Sequence, residues 1–205
     1  MSAYVEPTLL PSGSGSTGGF VVTRSSAEET VALRRAVLRP HLTIEQMAVT
    51  GDRNPDTAYL AVRPADGDRT VVGCVRLEPV PCPWPQALQE PAHVAWQLRA
   101  MATDPGVRGT GLGRLLVEAA VEYVARRGGD LIWCNARLSA ERFYLRLGFA
   151  PVTTPFPLPD VPEDHVGMVR RVLDVERPSE AAPQLAGVKI ERPSEAAPQL
   201  GGGAR

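Results

Sequence analysis

The chain has 205 residues, which is too few for two full-size domains and enough for one domain with tails. Hydrophobic residues make up 43% of the chain and charged residues 22%, and these proportions exclude both a fully disordered chain and a bundle of membrane-spanning helices. The formal net charge is −1, so the chain lacks the basic excess typical of nucleic-acid binding, and we expect no nucleic-acid partner.

Both ends of the chain have compositions that disfavour folding. Serine and glycine dominate the segment just before residue 20, and the decapeptide ERPSEAAPQL occurs at residues 176–185 and again at 191–200. Two short copies cannot build a repeat fold, which needs about three or more longer units. We predict a flexible arm over residues 1–18, a folded domain over 19–173 and a disordered tail over 174–205. A partner-binding motif presented twice is the alternative interpretation of the tail.

The cysteines and the hydrophobic runs indicate a cellular setting. Cys74, Cys82 and Cys134 are odd in number and lack CxxC spacing, so we expect free thiols, no disulfide scaffold and no metal site. Cys134 has no accompanying His/Asp arrangement, which favours a buried structural thiol over a nucleophile. No apolar run reaches the roughly 18 residues of a membrane span, and no leader pattern is present. We therefore predict a cytoplasmic location without membrane association.

Hydrophobic periodicity then predicts the secondary structure in chain order. Period-2 alternation marks strands and 3.6-residue spacing marks helices, with Pro40 ending the first helix and the turn-rich PADGDR joining two strands as a hairpin. The elements of the first half are a strand over 20–24, a helix over 27–38 capped by Ser25 or Ser26, a short helix from Thr43 to Met47, and strands over 57–63 and 70–79.

The second half starts with a long alternating strand. Val94, Trp96, Leu98, Ala100 and Ala102 are expected on one face of this strand, and Gln97, Arg99 and Met101 on the other. The elements that follow are a strongly amphipathic helix beginning near Leu112, a strand over 131–134, a helix from Ser139 to Leu147 ended by Gly148, and a strand over 166–172. This order predicts an α/β sandwich around a mixed sheet.

A glycine-rich loop over residues 104–113 joins the long strand to the amphipathic helix. Free backbone N–H groups and the macrodipole make a helix N-terminus attractive to anions, so the loop indicates a phosphate ligand. A Walker A loop is excluded, because Arg114 and Leu115 stand where Lys and Ser/Thr belong. The dinucleotide fingerprint also fails, because its third glycine would be Arg114.

Two motifs in this region resemble those of the GNAT superfamily of acyl-CoA-dependent N-acyltransferases. Residues 108–113, RGTGLG, resemble motif A, [QR]xxGx[GA], and residues 140–149, AERFYLRLGF, resemble the AxxFYxxxGF signature. The resemblance covers residues 20–173. It implies an α/β (α+β) GNAT fold with a mixed central sheet of about six to seven strands flanked by about four helices.

The resemblance also implies an activity and a set of contacts. The chain would be an N-acetyltransferase that moves the acetyl group of acetyl-CoA, as co-substrate, directly to a primary amine of a small molecule or peptide. Backbone N–H groups of the glycine loop would hold the pyrophosphate, and exposed backbone of the long strand would pair with the pantetheine arm. Asn135 is a further contact, since Arg137 occupies the place of the family's usual asparagine. The implied contacts are Arg99, Met101, Ala102, Thr103, Arg108, Gly109, Thr110, Gly111, Leu112, Gly113, Arg114 and Asn135.

For proton transfer, Tyr144 matches the tyrosine that protonates the departing thiolate in the family. In some members of the family a glutamate on the long strand is the general base, but residues 94–99 contain no glutamate here. The general base therefore stays open among His93, His165 and water. A non-catalytic acyl-CoA-binding module, a transferase for another short acyl group and an O-linked acceptor are the alternatives. A homodimer is what the resemblance implies for assembly.

Two segments, residues 41–56 and 153–164, are expected to choose the acceptor. Their acidic side chains either attract a cationic amine or are simply solvated. Arg99 favours a different class of acceptor, since a guanidinium suits a carboxylate or phosphate on the acceptor. The acids concerned are Glu45, Asp52, Asp56, Asp160, Glu163 and Asp164.

Overall fold

The computed structural model describes residues 19–48, 51–52, 54–159 and 161–172. The predicted arm, the predicted tail with both decapeptide copies, and Asp160 lie outside the described residues. Within the described part, no helix has the length and apolar character that crossing a membrane requires.

The first helix, α1, spans Ala27–Leu38 as the sequence predicts. Ser26 is its cap, because the Ser26 hydroxyl accepts a hydrogen bond from the Glu29 N–H at 3.2 Å. The predicted second helix is a single 3₁₀ turn, Glu45–Met47. A reciprocal pair of bonds precedes it, in which Thr43 and Gln46 each donate a backbone N–H to the other's side chain.

Eight strands form one mixed sheet in the order β1-β2-β3-β4-β5-β8-β6, with β7 paired to β8. Every pairing is antiparallel except that of β4 with β5, which is parallel. The strands are β1 Phe20–Ser25, β2 Ala58–Pro64, β3 Gly73–Pro79, β4 Ala95–Thr103, β5 Leu131–Arg137, β6 Ala150–Pro151, β7 Phe156–Leu158 and β8 Val161–Arg171.

Two further helices complete the described part. Helix α2, Leu112–Arg126, buries its apolar face against the sheet and forms the main core with β2 to β5. Helix α1 packs on the opposite face around Leu33, Cys74 and Ala102. The helix predicted from Ser139 is a 3₁₀ turn, Leu138–Ala140, followed by the short helix α3, Glu141–Leu145.

The predicted fold class is confirmed, and three details differ. The sheet has eight strands instead of six or seven, because β6 and β7 were not predicted, and the described residues hold three α-helices instead of four. The last strand begins at Val161 and not at Val166. Both missed strands have two or three residues, too short for a periodic pattern to mark them.

A bulge at Ala100 divides β4 into two parts. Ala100 has a φ of 47°, and the register with β3 pairs Arg76 with Arg99 but Cys74 with Ala102, so β4 holds one extra residue. The expectation that Gln97, Arg99 and Met101 share a face is therefore wrong. The α2 face of β4 carries Trp96, Leu98 and Met101, and the α1 face carries Gln97, Arg99 and Ala102.

Strands β4 and β5 pair over a short length and then separate. Only Ala95–Gln97 of β4 pair with Leu131–Trp133 of β5. Beyond these residues β4 remains bonded to β3, and β5 remains bonded to β8. The separation leaves a wedge in the middle of the sheet, and one backbone edge of residues 98–103 has no strand partner within the described residues.

Candidate active site

A cavity of about 790 Å³ occupies the wedge between β4 and β5. Its walls are the second part of β4, the end of β5 from Cys134 to Arg137, the C-terminal half of α1, and the 3₁₀ turn that contains Met47. Leu158 and Val161 of the β7–β8 hairpin close another side. Both segments predicted to choose the acceptor therefore reach this cavity.

Seven of the residues predicted as cofactor contacts or as the proton donor line this one cavity. Among them, Asn135 carries an amide oxygen, Oδ1, that is buried and has no hydrogen-bond partner within the described residues. A buried acceptor atom of this kind is available to a ligand N–H. The seven residues are Arg99, Met101, Ala102, Thr103, Arg108, Asn135 and Tyr144.

The rest of the glycine loop continues from the cavity as exposed backbone. Gly109 and Gly111 have φ values of 79° and 90°, the left-handed region that favours glycine. The first backbone bond of α2 runs from the Leu115 N–H to the Gly111 carbonyl at 3.0 Å, so the preceding N–H groups have no intrahelical partner. This end of α2 therefore presents unpaired donors and a positive dipole to an anion.

The side chains of the first turn of α2 are engaged elsewhere. Leu112 is buried in the core, and the Arg114 Nε donates to Glu118 Oε1 at 2.7 Å one turn along. A Cβ on Gly113 would lie 3.3 Å from the Phe143 ring, so this glycine permits close packing of α2 on α3. Of these three predicted contacts, the backbone N–H groups and the two Nη groups of the exposed Arg114 are left for a ligand within the described residues.

Tyr144 of α3 points into the wedge from the α2 side. Its ring packs edge-on against Phe143 and Phe149, with centroids 5.0 and 5.2 Å apart, and its hydroxyl donates to the Met101 sulfur at 3.3 Å. Burial raises the pKa of Tyr144 well above its ordinary value of 10. The phenol therefore keeps its proton at neutral pH.

The two candidate histidines are in different places. His165 of β8 is 5% exposed, lines the cavity, and has a buried Nδ1 without a partner among the described residues. Burial, and then the charge of Arg137, lowers the pKa of His165 below its ordinary value of 6.5, so its imidazole is neutral at pH 7. His93 is exposed before the start of β4, where its backbone N–H donates to Asp130 Oδ2 at 2.7 Å. The structure brings only His165 to the cavity.

A buried charge cluster on the α1 face was not predicted. Glu78 bridges two arginines, with Oε2 at 2.7 Å from Arg76 Nη2 and Oε1 at 3.0 Å from Arg99 Nη1. Asp52 lies between Arg34 at 3.8 Å and Arg76 at 3.7 Å. Arg76 and Glu78 stand two residues apart in an otherwise apolar strand, and that spacing is the signal that would have indicated them.

The acidic residues of the two acceptor segments lie away from the cavity wall. Asp52 belongs to the charge cluster, and Glu163 accepts a hydrogen bond from the Ser139 N–H at 2.7 Å. Glu45, Asp56 and Asp164 are exposed. Among the described residues, none of these carboxylates lines the cavity.

The three cysteines are buried free thiols. Burial raises the pKa of Cys74 to about 12 and also raises that of Cys134, which lines the cavity beside Tyr144. A thiol held in this way carries no thiolate at neutral pH, so Cys134 is unsuited to nucleophilic attack.

Known proteins share this arrangement. Residues 27–149 match the model of the acetyltransferase (GNAT) family. The uncharacterized N-acetyltransferase YitI of Bacillus subtilis is 32% identical over 145 residues, which are 71% of this chain and 91% of YitI.

Solved structures resemble the fold at lower identity. A proposed N-acetyltransferase of Lactobacillus plantarum is similar with a TM-score of 0.59 and 22% identity, over 76% of this chain and all of that one. The ribosomal-protein-S18-alanine N-acetyltransferase of Escherichia coli gives a TM-score of 0.56 and 16% identity, over 75% of this chain and 94% of that one. The family match, the YitI relationship and the geometry of the wedge agree: the chain belongs to the GNAT family of acetyltransferases and is an acyltransferase enzyme.

Proposed function

We propose that the protein transfers the acetyl group of acetyl-CoA to a primary amine of a small molecule or peptide. The observation that carries this proposal is the wedge itself, which opens between the unpaired N–H groups of α2 and the protonated Tyr144. Arg108, which leads into the start of α2, and Tyr144 line the same cavity, and this supports a phosphate-bearing thioester substrate.

The residues of this chain fit acetyl-CoA at three places. The N–H groups at the start of α2 and the Arg108 guanidinium suit the pyrophosphate. The unpaired edge of β4 over residues 99–103 suits the amides of the pantetheine arm, and the unpartnered Oδ1 of Asn135 suits a further N–H. When bound, acetyl-CoA supplies an acetyl group activated as a thioester.

The transfer needs one bond made, one broken and two protons moved. The amine nitrogen attacks the carbonyl carbon, so that a C–N bond forms and the C–S bond breaks. Tyr144 gives its proton to the departing thiolate sulfur, and the proton of the attacking amine goes to the neutral imidazole of His165 or to water. A backbone N–H of β4 polarises the carbonyl. The products are an amide and free CoA thiol, and Tyr144 regains its proton from solvent.

The test is acetyl-CoA binding measured by calorimetry in the wild type and in two variants of one glycine. Gly111→Glu places a negative charge at the start of α2, and we expect binding to disappear. Gly111→Asn is the matched control, because asparagine tolerates a positive φ and adds no charge, and we expect binding to be retained. Absence of binding in the wild type would refute the proposal. If both variants lost acetyl-CoA binding equally, backbone strain and not the added charge would be the cause.

A further inference from the structure

Resting on the proposed function, we infer that the acceptor amine also carries an anionic group, a carboxylate or a phosphate. The Arg99 side chain on the α1 face of the cavity binds this group.

The charge of the cavity wall supports this substrate class. Every aspartate and glutamate among the described residues is absent from the wall, which carries six arginines and His165. Arg108 belongs to the end of the wall near the glycine loop, and Arg137 stands where the family has a cofactor contact, so we assign the other four arginines to the acceptor side. A polyamine would enter a field of its own sign, whereas an anion would be attracted. The arginines are Arg34, Arg39, Arg76, Arg99, Arg108 and Arg137.

The charge cluster behind the wall reduces this field without cancelling it. Asp52 and Glu78 together supply two negative charges, and they contact three arginines, Arg34, Arg76 and Arg99. Arg34 and Arg76 are almost fully buried and held in place by these contacts. Within the described residues the cluster therefore carries one more positive charge than negative, and Arg99 is its most exposed arginine.

The Arg99 side chain is placed to bind an anion in the cavity. Its side chain is 48% exposed and sits on β4 just before the bulge. Glu78 contacts only its Nη1, so within the described residues Nε and Nη2 are left to donate. A guanidinium with two donors on one edge binds a carboxylate or phosphate in bidentate fashion. Glu78 thus acts as a positioning residue that holds the fork toward the cavity.

The acceptor wall also carries apolar side chains. Its aliphatic side chains come from α1, from the segment that follows it, and from the β7–β8 hairpin. They suit an acceptor that carries an apolar group in addition to its amine and its anion, as an α-amino acid with a hydrophobic side chain does. They are Val37, Leu38, Leu42, Met47, Leu158 and Val161.

The test compares matched acceptors in a thiol-release assay at saturating acetyl-CoA. The pairs are hydrophobic L-amino acids against their α-amides, and phosphoethanolamine against ethanolamine. We expect kcat/KM to favour the anionic member of one pair type by at least about tenfold, the usual effect of a charge-assisted hydrogen bond. The pair type that shows the preference identifies the anion as carboxylate or phosphate.

Variants then assign the preference to Arg99. Arg99→Gln should raise KM for the preferred anionic acceptor roughly ten- to hundredfold and bring the ratio within each pair close to one, with the acetyl-CoA Kd unchanged. Arg126→Gln removes an arginine at the far end of α2 and should keep the wild-type ratio.

Three results would overturn the inference while leaving acetyl-CoA binding intact. The first is a kcat/KM ratio near one between the anionic and the neutral member of every pair in the wild type. The second is a preference for the anionic member that persists in Arg99→Gln. The third is that no member of either pair type causes thiol release. Failure of the wild type to bind acetyl-CoA in calorimetry would instead refute the proposed function, so the two failures are distinguishable.

Discussion

Replacing Tyr144 with phenylalanine separates the chemical role of its hydroxyl from its packing role. The ring and its contacts with Phe143 and Phe149 remain in the variant, and only the hydrogen bond to the Met101 sulfur is lost. A thioether is a weak acceptor, so the free energy of unfolding should change by less than about 1 kcal/mol.

The effect on turnover should be far larger. Proton donation by a positioned acid typically contributes about 10²- to 10⁴-fold, so kcat should fall by that factor, or about 2.7 to 5.5 kcal/mol in barrier height. Acetyl-CoA affinity should be unchanged, because the hydroxyl acts on the leaving group. The assays are thiol release for kcat, calorimetry for affinity and urea unfolding for stability.

Tyr123 supplies the matched control. It is also buried, on α2 against Trp96, and it does not line the cavity. Tyr123→Phe should leave kcat within about threefold of the wild type. The assignment of Tyr144 would be refuted by a kcat for Tyr144→Phe that is equally unchanged. A loss of stability well above 3 kcal/mol would instead point to a structural role for the hydroxyl.

Two further predictions concern His165 and Glu78. His165 accepts a proton only when neutral, and burial lowers its pKa below 6.5, so kcat/KM should rise with pH through an inflection below 6.5, before the separate rise caused by deprotonation of the acceptor amine. A pH profile of His165→Gln that keeps the first inflection would exclude His165 as the base. Glu78→Gln leaves the buried Arg76 without its 2.7 Å partner and should lower the free energy of unfolding by about 3 to 5 kcal/mol in urea. Glu118→Gln breaks an exposed pair with Arg114 and should cost about 0.5 kcal/mol or less, so equal losses would contradict the burial argument.

Local signals made much of the fold predictable. The bounds of α1 follow from a serine cap and a proline stop, and the start of α2 follows from a glycine loop and a 3.6-residue stripe. The two motifs place the loop and Tyr144 on the correct elements. Each of these features depends on residues that are close together in the sequence, where periodicity and capping act.

The bulge in β4 could not be predicted in this way. Alternation from Val94 to Ala102 looks unbroken, and alanine seldom adopts a positive φ, so nothing in the sequence marks Ala100 as an extra residue. The pairing of β3 with β4 imposes it, and that pairing joins residues that are far apart in the chain. As a result Met101 and Arg99 were predicted on one face and lie on opposite faces.

The charge cluster was missed for a related reason. Arg34 is on α1, Asp52 is on the loop after it, and Glu78 is on β3, so only the folded sheet brings them together. Period-2 analysis treats Arg76 and Glu78 as breaks in an apolar strand. Their mutual contact is the compensation that lets both be buried.

The extra residue at Ala100 makes the two parts of β4 present their side chains to different faces of the sheet. Before the bulge, Gln97 and Arg99 face the α1 side, and after it Met101 meets the Tyr144 hydroxyl on the α2 side. If Arg99 binds the acceptor as we propose, a substitution at Arg99 would alter which acceptor is chosen without changing the contact between Met101 and Tyr144. Under the proposed function, one strand would carry selectivity before the bulge and chemistry after it, and the two parts could diverge independently.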